Sequence, residues 1–347
     1  MPVLVIGGTG FLGNKVVAAL RAAGIETVVA SRSAGTGRVA LDLASVTEEN
    51  LRGYELVINC ADTLRAPAGS LYRAALAAGV VLLETTAEPG AITAGLALRG
   101  QPCGPGAVVL GVGIFPGLSN LLARALFDAH ERTARLELAM RFSPFSAAGA
   151  GMVALIAHLM VEPAPYFVAG ERRLARAFSA GPQLLVNGKH PGSLRAAIPE
   201  TDLLHASTGV PDLTVSLSPT PDVLQPMLRL AARLAPPWRY ARRAYLSVLR
   251  LGVTILRRGL FRRRPALVTI VASVHPANGA PPHTRTLTTR DGIAAGAYTV
   301  AAVARHLRAH QLSPGIHVID DVIDLATLLE AVAAIPGSPQ IDQGGQR

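Results

Sequence analysis

Two hydrophobic patterns alternate along the first part of the chain. Short runs that are almost wholly apolar predict strands buried on both faces, and stretches with apolar residues every three or four positions predict amphipathic helices. The strands are expected at Val3–Ile6, Thr27–Ala30, Val39–Leu41, Leu56–Asn59, Val80–Glu84 and Ala107–Leu110, and the helices at Phe11–Ala23 and Ala68–Ala78. This alternation predicts βαβ units, and therefore an α/β domain with a doubly wound parallel sheet, over residues 1–120.

After Pro116-Gly117 the pattern changes, and strands come to outnumber crossover helices. Helices are expected at Leu118–His130, Gly151–Val161, residues 295–310 and Asp324–Ala334, and strands at Arg135–Phe142, Gln183–Asn187, Leu213–Leu217, Leu267–Val274 and Thr284–Thr288. We therefore predict a second α+β domain with a mixed sheet over residues 121–295, and C-terminal helices over 296–347 that return to the first domain. The polar, glycine-rich end, Gly337–Arg347, is expected to fray.

A glycine-rich turn joins the first predicted strand to the first helix. Gly7 would permit a tight turn, Gly10 would let a pyrophosphate approach the backbone, and Gly13 would let the helix pack closely on the strand. The helix N-terminus would then face the phosphates. This context predicts a dinucleotide-binding Rossmann domain, with a retained but empty fold as the alternative. The expected contacts in the turn are Gly7, Thr9, Gly10, Phe11, Leu12 and Gly13.

The end of the second predicted strand indicates which dinucleotide binds. An NAD site places an acidic residue there for the ribose 2′-hydroxyl, but this chain reads Val28-Val29-Ala30-Ser31-Arg32-Ser33. Ser31 and Arg32 can instead donate hydrogen bonds to a 2′-phosphate, which favours NADP(H) over NAD(H). A solvated loop arginine is the alternative interpretation. Asp42, after the third strand, is either near the adenine or an ordinary turn residue.

The absence of several common catalytic motifs excludes some classes of enzyme. Short-chain dehydrogenases use a Tyr-x-x-x-Lys pair for proton transfer. The two lysines, Lys15 and Lys189, are preceded four positions earlier by Phe11 and Leu185, so the pair is absent. The sequence also lacks the Gly-x-Ser-x-Gly and HExxH motifs.

Several segments, in order along most of the chain, resemble the saccharopine dehydrogenase-like oxidoreductase family. They are Leu56–Ala61 (LVINCA), Ala74–Val80 followed by Glu84-Thr85-Thr86, Gly111–Asn120 (GVGIFPGLSN), Pro199–Asp202, Gly209–Asp212, Tyr298-Thr299 and Ser313–Ile316. The resemblance implies a Rossmann domain, a sheet-bearing second domain often used for dimerisation, and NAD(P)-dependent redox chemistry. Glu84 stands where the family usually has Asp.

Strand ends supply the other candidate cofactor residues, because open α/β sheets bind ligands at the carboxyl ends of their strands. These candidates are Asn59, Cys60, Ala61, Glu84, Thr85, Gly113, Pro116 and Gly117. A small buried core residue is the better interpretation of Cys60 than a nucleophile. Ser119 and Asn120 follow at a helix start, where helix capping is the alternative role.

His158 and Tyr298 are the candidate catalytic residues. A cleft-facing histidine could donate a proton during hydride transfer, although a satisfied core histidine is the more ordinary interpretation. Core packing is the alternative for Tyr298. We expect an NADP-dependent oxidoreductase that reduces C=N and, less readily, C=C or C=O bonds of a small-molecule substrate. The alternative is a non-catalytic NADP-binding redox sensor or regulatory protein.

The net charge of +10 is concentrated in one segment. Met227–Arg264 contains eleven arginines and no acidic residue, and the rest of the chain has 22 basic and 23 acidic residues. We therefore expect no nucleic-acid binding. Apolar residues form one helical stripe at Leu246, Leu249, Val253, Leu256 and Leu260, with Arg243, Arg250 and Arg257 on another face. The stripe packs on its own domain, or the helix binds an anionic membrane surface or an acidic carrier protein.

The cysteine content and the lengths of the apolar segments indicate where in the cell the protein is found. Cys60 and Cys103 cannot form a disulfide framework, and no Cys/His cluster suggests a metal site. No secretory signal is visible, and the longest weakly polar stretch, Ala147–Val161, is shorter than a membrane span. We expect a cytoplasmic protein. Homodimerisation is one possible association, and peripheral membrane binding through Met227–Arg264 is another.

Overall fold

The computed structural model describes residues 1–33, 35–64, 66–143, 150–183, 190–236, 239–258 and 267–346. The chain forms two compact units. The first unit comprises residues 1–121 and 293–340, and the second comprises residues 122–292 and 341–347. Each unit is built around its own sheet.

The first unit contains a seven-stranded, wholly parallel sheet in the order β14-β6-β5-β4-β1-β2-β3. Its strands are β1 (Val3–Ile6), β2 (Thr27–Ser31), β3 (Arg38–Ala40), β4 (Leu56–Asn59), β5 (Val81–Glu84), β6 (Ala107–Leu110) and β14 (Gly315–Val318). Its helices are α1 (Phe11–Ala22), α2 (Gly69–Ala78), α3 (Pro89–Leu96), α9 (Gly292–Ala309) and α10 (Leu325–Ala333), and α4 (Leu118–Asp128) begins in it. The all-apolar strands β1 and β6 are completely buried, as a sheet covered on both faces requires.

In this strand order β1 is flanked by β2 and β3 on one side and by β4, β5, β6 and β14 on the other. It is the order of a Rossmann fold, and the chain reverses direction across the sheet between β1 and β4. The predicted doubly wound parallel sheet is therefore confirmed. The sequence pattern did not predict the short strand β14, which extends the sheet beyond β6.

The second unit contains an eight-stranded mixed sheet in the order β15-β13-β12-β7-β11-β8-β9, with β10 paired to β11. Its strands are β7 (Thr133–Phe142), β8 (Ala164–Val168), β9 (Glu171–Ala175), β10 (Leu194–Arg195), β11 (Asp212–Pro219), β12 (Val268–Pro276), β13 (His283–Thr289) and β15 (Ile341–Gln346). Its helices are α5 (Ala150–Leu159), α6 (Glu200–Thr208), α7 (Leu224–Leu234) and α8 (Arg239–Arg258). Only the β7–β11 pair is parallel among the described pairs, so the predicted mixed sheet is confirmed.

The expectation that Gly337–Arg347 frays is wrong for the described residues of that segment, because they include a strand. Ile341–Gln346 forms β15, which pairs antiparallel with β13 and belongs to the second unit. The free edge of β13 offers unpaired backbone groups, and pairing satisfies them. Glycine suits this strand, because a Cβ at Gly344 would lie 2.5 Å from the Thr286 hydroxyl oxygen.

Two further predicted elements, one strand and one helix, differ from the structure in how far they can be compared with it. The strand expected at Gln183–Asn187 lies, apart from Gln183, outside the described residues. The helix expected at Gly151–Val161 ends at Leu159. Among the described helices, none has the length and apolar character needed to cross a membrane.

Candidate dinucleotide-binding site

The turn between β1 and α1 has no room for side chains at two of its glycines. Gly7 has a φ of +73°, and a Cβ there would lie 2.8 Å from the backbone nitrogen of Ala61. A Cβ at Gly13 would lie 2.2 Å from the carbonyl oxygen of Gly7. The turn is closed by a 2.8 Å hydrogen bond from the Gly10 amide to the Gly7 carbonyl. The sequence pattern thus folds into a tight backbone cradle at the carboxyl end of β1.

The cradle opens onto the N-terminus of α1. Gly10 is the N-cap residue, and no side-chain hydrogen bond caps this helix end within the fully described segment 1–33. The amides of the first helical turn have no partner inside the helix, and together with the helix dipole they favour an anion. Thr9, Gly10 and Phe11 are exposed beside them, and Leu12 is half-buried. These groups fit the pyrophosphate of a dinucleotide.

The carboxyl end of β2 carries a cationic loop. Ser31 ends the strand, and its hydroxyl donates a 2.8 Å hydrogen bond to the carbonyl of Ser33. Arg32 is exposed, and residues 31–40 include no acid. Arg38, which the sequence analysis did not select, is also exposed, and its guanidinium lies against Gly35 in the same loop. The segment after β2 thus carries two exposed arginines, Arg32 in the loop and Arg38 at the first position of β3.

Asp42 has a local structural role. Its carboxylate accepts a 3.1 Å hydrogen bond from the Ala44 amide and caps the short 3₁₀ helix Leu43–Ser45. This is the ordinary turn role that was one of the two expectations for this residue. Its exposed position leaves an additional contact with adenine as an untested prediction.

The ends of β4 and β5 are joined by a buried polar pair. Asn59 and Glu84 are opposite each other in the parallel ladder, and both are fully buried. The Asn59 amide donates a 2.8 Å hydrogen bond to one oxygen of Glu84, and the Thr86 backbone amide donates a 2.8 Å bond to the other. Asn59 also accepts from the Ala61 amide at 3.1 Å. The pair therefore fixes the loop that packs against Gly7.

Burial sets the ionisation of Glu84. Loss of hydration raises the pKa of Glu84 to about 7, although hydrogen bonds from Asn59 and the Thr86 amide oppose the shift. The buried Tyr72 hydroxyl is beside Glu84 and also opposes the rise in the pKa of Glu84. A buried carboxyl group at the carboxyl end of β5 thus titrates close to neutral pH. Tyr72, from α2, is a second residue that the sequence analysis missed.

Cys60 and Thr85 are the residues that immediately follow β4 and β5. Burial, aided by the charge of Glu84, raises the pKa of the Cys60 thiol to about 12, so the thiol stays protonated at neutral pH. This agrees with the interpretation of Cys60 as a packed residue and not a nucleophile. The Thr85 hydroxyl donates a 2.7 Å hydrogen bond to the Asn59 carbonyl. Asn59, Cys60, Ala61, Glu84 and Thr85 are therefore brought together beside the glycine turn.

The loop after β6 is shaped by glycines and a buried amide. Gly117 has a φ of +139°, and a Cβ there would lie 2.0 Å from the Gly113 carbonyl oxygen. The side-chain oxygen of Asn120 accepts from the Gly117 amide at 3.4 Å, which is the helix-capping role given above as the alternative. Pro116 is buried in the same loop. The loop follows the strand next to β5, so it lies at the same sheet edge as Glu84.

The candidate catalytic residues lie in different units. Tyr298 belongs to the first unit, on α9, and its hydroxyl donates a 3.2 Å hydrogen bond to the Pro336 carbonyl. This bond ties α9 to the segment after α10. His158 belongs to the second unit, half-buried near the end of α5. Their catalytic roles stay predictions. In the described part of the chain, no group of three or more His, Cys, Asp or Glu side chains is placed to hold a metal ion.

No protein-family model matches the sequence, and no curated protein is significantly similar to it. The membership in the saccharopine dehydrogenase-like family therefore stays a prediction.

Solved structures with a similar chain course include a C. glutamicum DAP dehydrogenase in complex with DAP. It is 13% identical, covers 97% of this chain and 99% of its own, and has a TM-score of 0.49. An engineered D-amino acid dehydrogenase bound to NADP⁺ is 13% identical over 94% of this chain and 95% of its own, with a TM-score of 0.46. An amine dehydrogenase from Mycobacterium smegmatis is 11% identical over 93% and 96%, with a TM-score of 0.41. The functional assignment therefore rests on the geometry of the site itself.

Proposed function

We propose that this protein is an NADP(H)-dependent oxidoreductase that transfers hydride to a C=N bond. The observation that carries the proposal is the cradle between β1 and α1, where Cβ atoms added at Gly7 and Gly13 would meet backbone at 2.2–2.9 Å. Such close backbone approach, at the N-terminus of a helix and at the switch point of a Rossmann sheet, suits a dinucleotide pyrophosphate.

The preference for NADP(H) is supported by the loop after β2. Arg32 and Arg38 are both exposed there, and residues 31–40 contain no carboxylate to accept a ribose hydroxyl. A guanidinium offers paired, charge-assisted hydrogen bonds to a phosphate. The 2′-phosphate of NADP(H) would thus be the group that these two side chains bind.

The choice of a C=N substrate follows from the groups at the strand ends. When bound, the reduced nicotinamide supplies a hydride. An iminium carbon accepts hydride while the C=N electron pair moves to nitrogen and neutralises its charge, so this step needs no proton donor. A ketone would form an alkoxide that must be protonated. Cys60 keeps its proton and Glu84 is fully buried, so neither is an exposed acid for that purpose.

Glu84 is proposed as a positioning residue for the nicotinamide end of the site. It holds Asn59, which in turn accepts from the Ala61 amide in the loop against Gly7. The pair would keep that loop in one conformation and exclude water from the strand ends. Reduction of C=C or C=O bonds stays the less favoured activity.

The test begins with a fluorescence titration of the full chain with NADPH. We expect saturable binding in the range of about 1 μM to 1 mM that is typical of enzyme substrates. Oxidation of NADPH is then followed with a cyclic imine, an enone and a ketone, and the imine should be turned over fastest. Absence of binding at millimolar NADPH would overturn the proposal. Tight binding without turnover of any substrate would instead support the redox-sensor alternative.

A further inference from the structure

Exposed apolar side chains are concentrated on two consecutive helices of the second unit. Seven of the twelve large hydrophobic side chains that are exposed in the described part of the chain belong to α7, its N-cap or α8. They are Val223, Met227, Leu230 and Leu234, at 52–65% exposure, and Val248, Leu251 and Ile255, at 61–67%. Single exposed apolar residues are ordinary, but a cluster of this kind marks a site of interaction.

The spacing of these residues gives each helix one apolar outer face. On α7 they recur at i, i+4, i+7 and i+11, and on α8 at i, i+3 and i+7. The opposite sides are already used, because α7 packs on β11 and α8 packs on α5. The Tyr245 hydroxyl on α8 also donates to the Ala231 carbonyl on α7 and holds the two helices together. The exposed faces are therefore additional to those that build the unit.

The outer face of α8 differs from the stripe predicted from the sequence. Leu246, the first residue of that stripe, is half-buried, whereas Val248 is 67% exposed. Two residues turn an α-helix by about 200°, so these side chains point to opposite sides. The side chains of Leu249, Val253 and Leu256, and the whole of Leu260, lie outside the described residues. At Leu246 the predicted stripe thus faces inward, and a second stripe faces outward.

The charge of the segment that contains α7 and α8 indicates which partner their exposed faces would bind. The segment Met227–Arg264 contains eleven arginines and no acidic residue. A second copy of this face would bring two arginine-rich segments together without a compensating carboxylate, so self-association through it is disfavoured. A bilayer with anionic headgroups accepts both arginine and apolar side chains, and it needs no shape complementarity to the two stripes. An acidic protein would match the charge but leave the seven apolar side chains without a defined pocket.

We propose that α7 and α8 form a peripheral docking surface for an anionic lipid bilayer. The apolar faces enter the boundary between headgroups and acyl chains, and the net positive charge of the two helices attracts the anionic headgroups. The glycine turn belongs to the first unit and is not part of this docking surface. The proposal is independent of the redox activity proposed above.

The test is flotation of the full-length protein with vesicles. Binding is compared between pure phosphatidylcholine and a mixture of phosphatidylcholine with phosphatidylglycerol, at low salt and at about 0.5 M salt, where charges are screened within a few ångströms. We expect binding to the anionic vesicles at low salt, little binding to neutral vesicles, and loss at high salt. Emission of Trp238, the single tryptophan, which immediately precedes α8, should shift to shorter wavelength on binding.

Matched variants separate the apolar contribution from the charge. The double variants Met227→Ser/Leu230→Ser and Leu251→Ser/Ile255→Ser should each weaken vesicle binding by about tenfold or more, because burial of the apolar faces is lost. Leu174→Ser is the control, since Leu174 is 59% exposed on β9 of the same unit. Arg233→Gln/Arg258→Gln should weaken the preference for anionic lipid. These arginines come three residues after Leu230 and Ile255, at helix positions next to the apolar faces. Circular dichroism and melting curves check that each variant is folded.

Two results would contradict binding to an anionic bilayer. A wild-type protein that stays unbound at low salt, or that binds but is unaffected by either double serine variant, overturns the membrane proposal. Binding to an acidic carrier protein with no vesicle binding would assign the surface to a protein partner instead.

Discussion

Arg32 and Arg38 are the residues whose charges would separate the two nicotinamide cofactors. Arg32→Ala should weaken NADPH binding by about 10- to 100-fold, because a hydrogen bond to a charged group contributes roughly 1.5–3 kcal/mol. NADH lacks the 2′-phosphate and should be almost unaffected. Arg38→Ala should act in the same direction. The measurement is the ratio of the two dissociation constants.

A suitable control for these variants is Arg52→Ala. Arg52 is an exposed arginine of the first unit, and it pairs with Glu48 at 2.7 Å. This substitution changes the net charge equally but should leave the NADPH to NADH ratio unchanged. An equal loss of both cofactors in Arg32→Ala would contradict the role in phosphate binding.

Glu84 should make the stability of the protein depend on pH. Its pKa is raised from the usual value of 4.5 to about 7, so between these values the folded state binds more protons than the unfolded state. Stability is then greatest at low pH and falls as pH rises to about 7, at up to about 1.4 kcal/mol per unit, with no further change above. Urea unfolding from pH 5 to 8 measures this slope.

The comparison is with Glu84→Gln, which cannot ionise. The difference in unfolding free energy between wild type and variant should therefore change across pH 5–7 and become constant above it. A difference that is flat across this range would show that Glu84 does not titrate as its burial requires. Comparing the two proteins isolates Glu84 from the other titrating groups.

Most residues of the candidate site could be selected from the sequence, but the contacts between them could not. The glycines could be assigned because their spacing follows a backbone requirement. The Asn59–Glu84 pair could not, since the two residues are 25 positions apart and meet only through the parallel ladder. Their burial, which raises the pKa of Glu84, depends on the packed α2. A glutamate ending an apolar strand, as in VLLE, was the available signal.

At the scale of elements, the turn between β1 and α1 depends on Gly13. A Cβ there would lie 2.2 Å from the Gly7 carbonyl oxygen and 2.7 Å from the Gly8 Cα. Gly13→Ala should therefore destabilise the protein by about 1–3 kcal/mol, as overpacking does, and should weaken NADPH binding by displacing the cradle. Thermal unfolding and cofactor titration measure the two effects.

Gly252→Ala provides the matched control. Gly252 lies inside α8, and a Cβ added there meets nothing within 4 Å. Alanine at this position should stabilise the helix by about 0.5–1 kcal/mol, because glycine loses more backbone entropy on folding. Opposite signs for the two Gly→Ala variants are the expected result. Equal effects would mean that helix propensity, and not the close approach at Gly13, determines stability.

The C-terminal strand β15 should stabilise the second unit. A chain that ends at Gln340 would lose the pairing of Ile341–Gln346 with His283–Thr289. The exposed edge of β13 should then lower the melting temperature and promote aggregation, since unpaired edges recruit other strands. NADPH affinity should be retained, because the glycine turn is in the first unit. Light scattering and melting curves provide the test, and an unchanged melting temperature would contradict it.

Elements with strong local patterns could be predicted, and those made by pairing could not. The bounds of β1, β4 and β6 agree with the predicted runs, because β1 and β6 are apolar throughout and β4 is apolar up to Asn59. β9 has the sequence ERRLA and is largely exposed, so its strand character comes from pairing with β8. β15 contains two glycines and two glutamines and depends in the same way on β13.

At the scale of the whole molecule, the first unit is assembled from two distant parts of the chain. Residues 293–340 return to the unit formed by residues 1–121 and contribute β14. Two ion pairs connect the parts, from Arg308 to Glu55 and from Arg99 to Asp321, each at 2.9 Å. Because β14 hydrogen-bonds to β6, we expect both parts to unfold together as one cooperative unit.

Hydrogen exchange with and without NADPH tests this cooperativity. A ligand that binds only the folded unit stabilises it by about 2.7 kcal/mol at a concentration of 100 times the dissociation constant. If the two parts form one unit, amides of β1 and of β14 that exchange by global unfolding should gain this same increment, although β14 contributes none of the proposed cofactor contacts. The dissociation constant from fluorescence titration fixes the expected value independently. Increased protection of β1 without a matching increase in β14 would show that the returning segment opens separately, and that NADPH stabilises only residues 1–121.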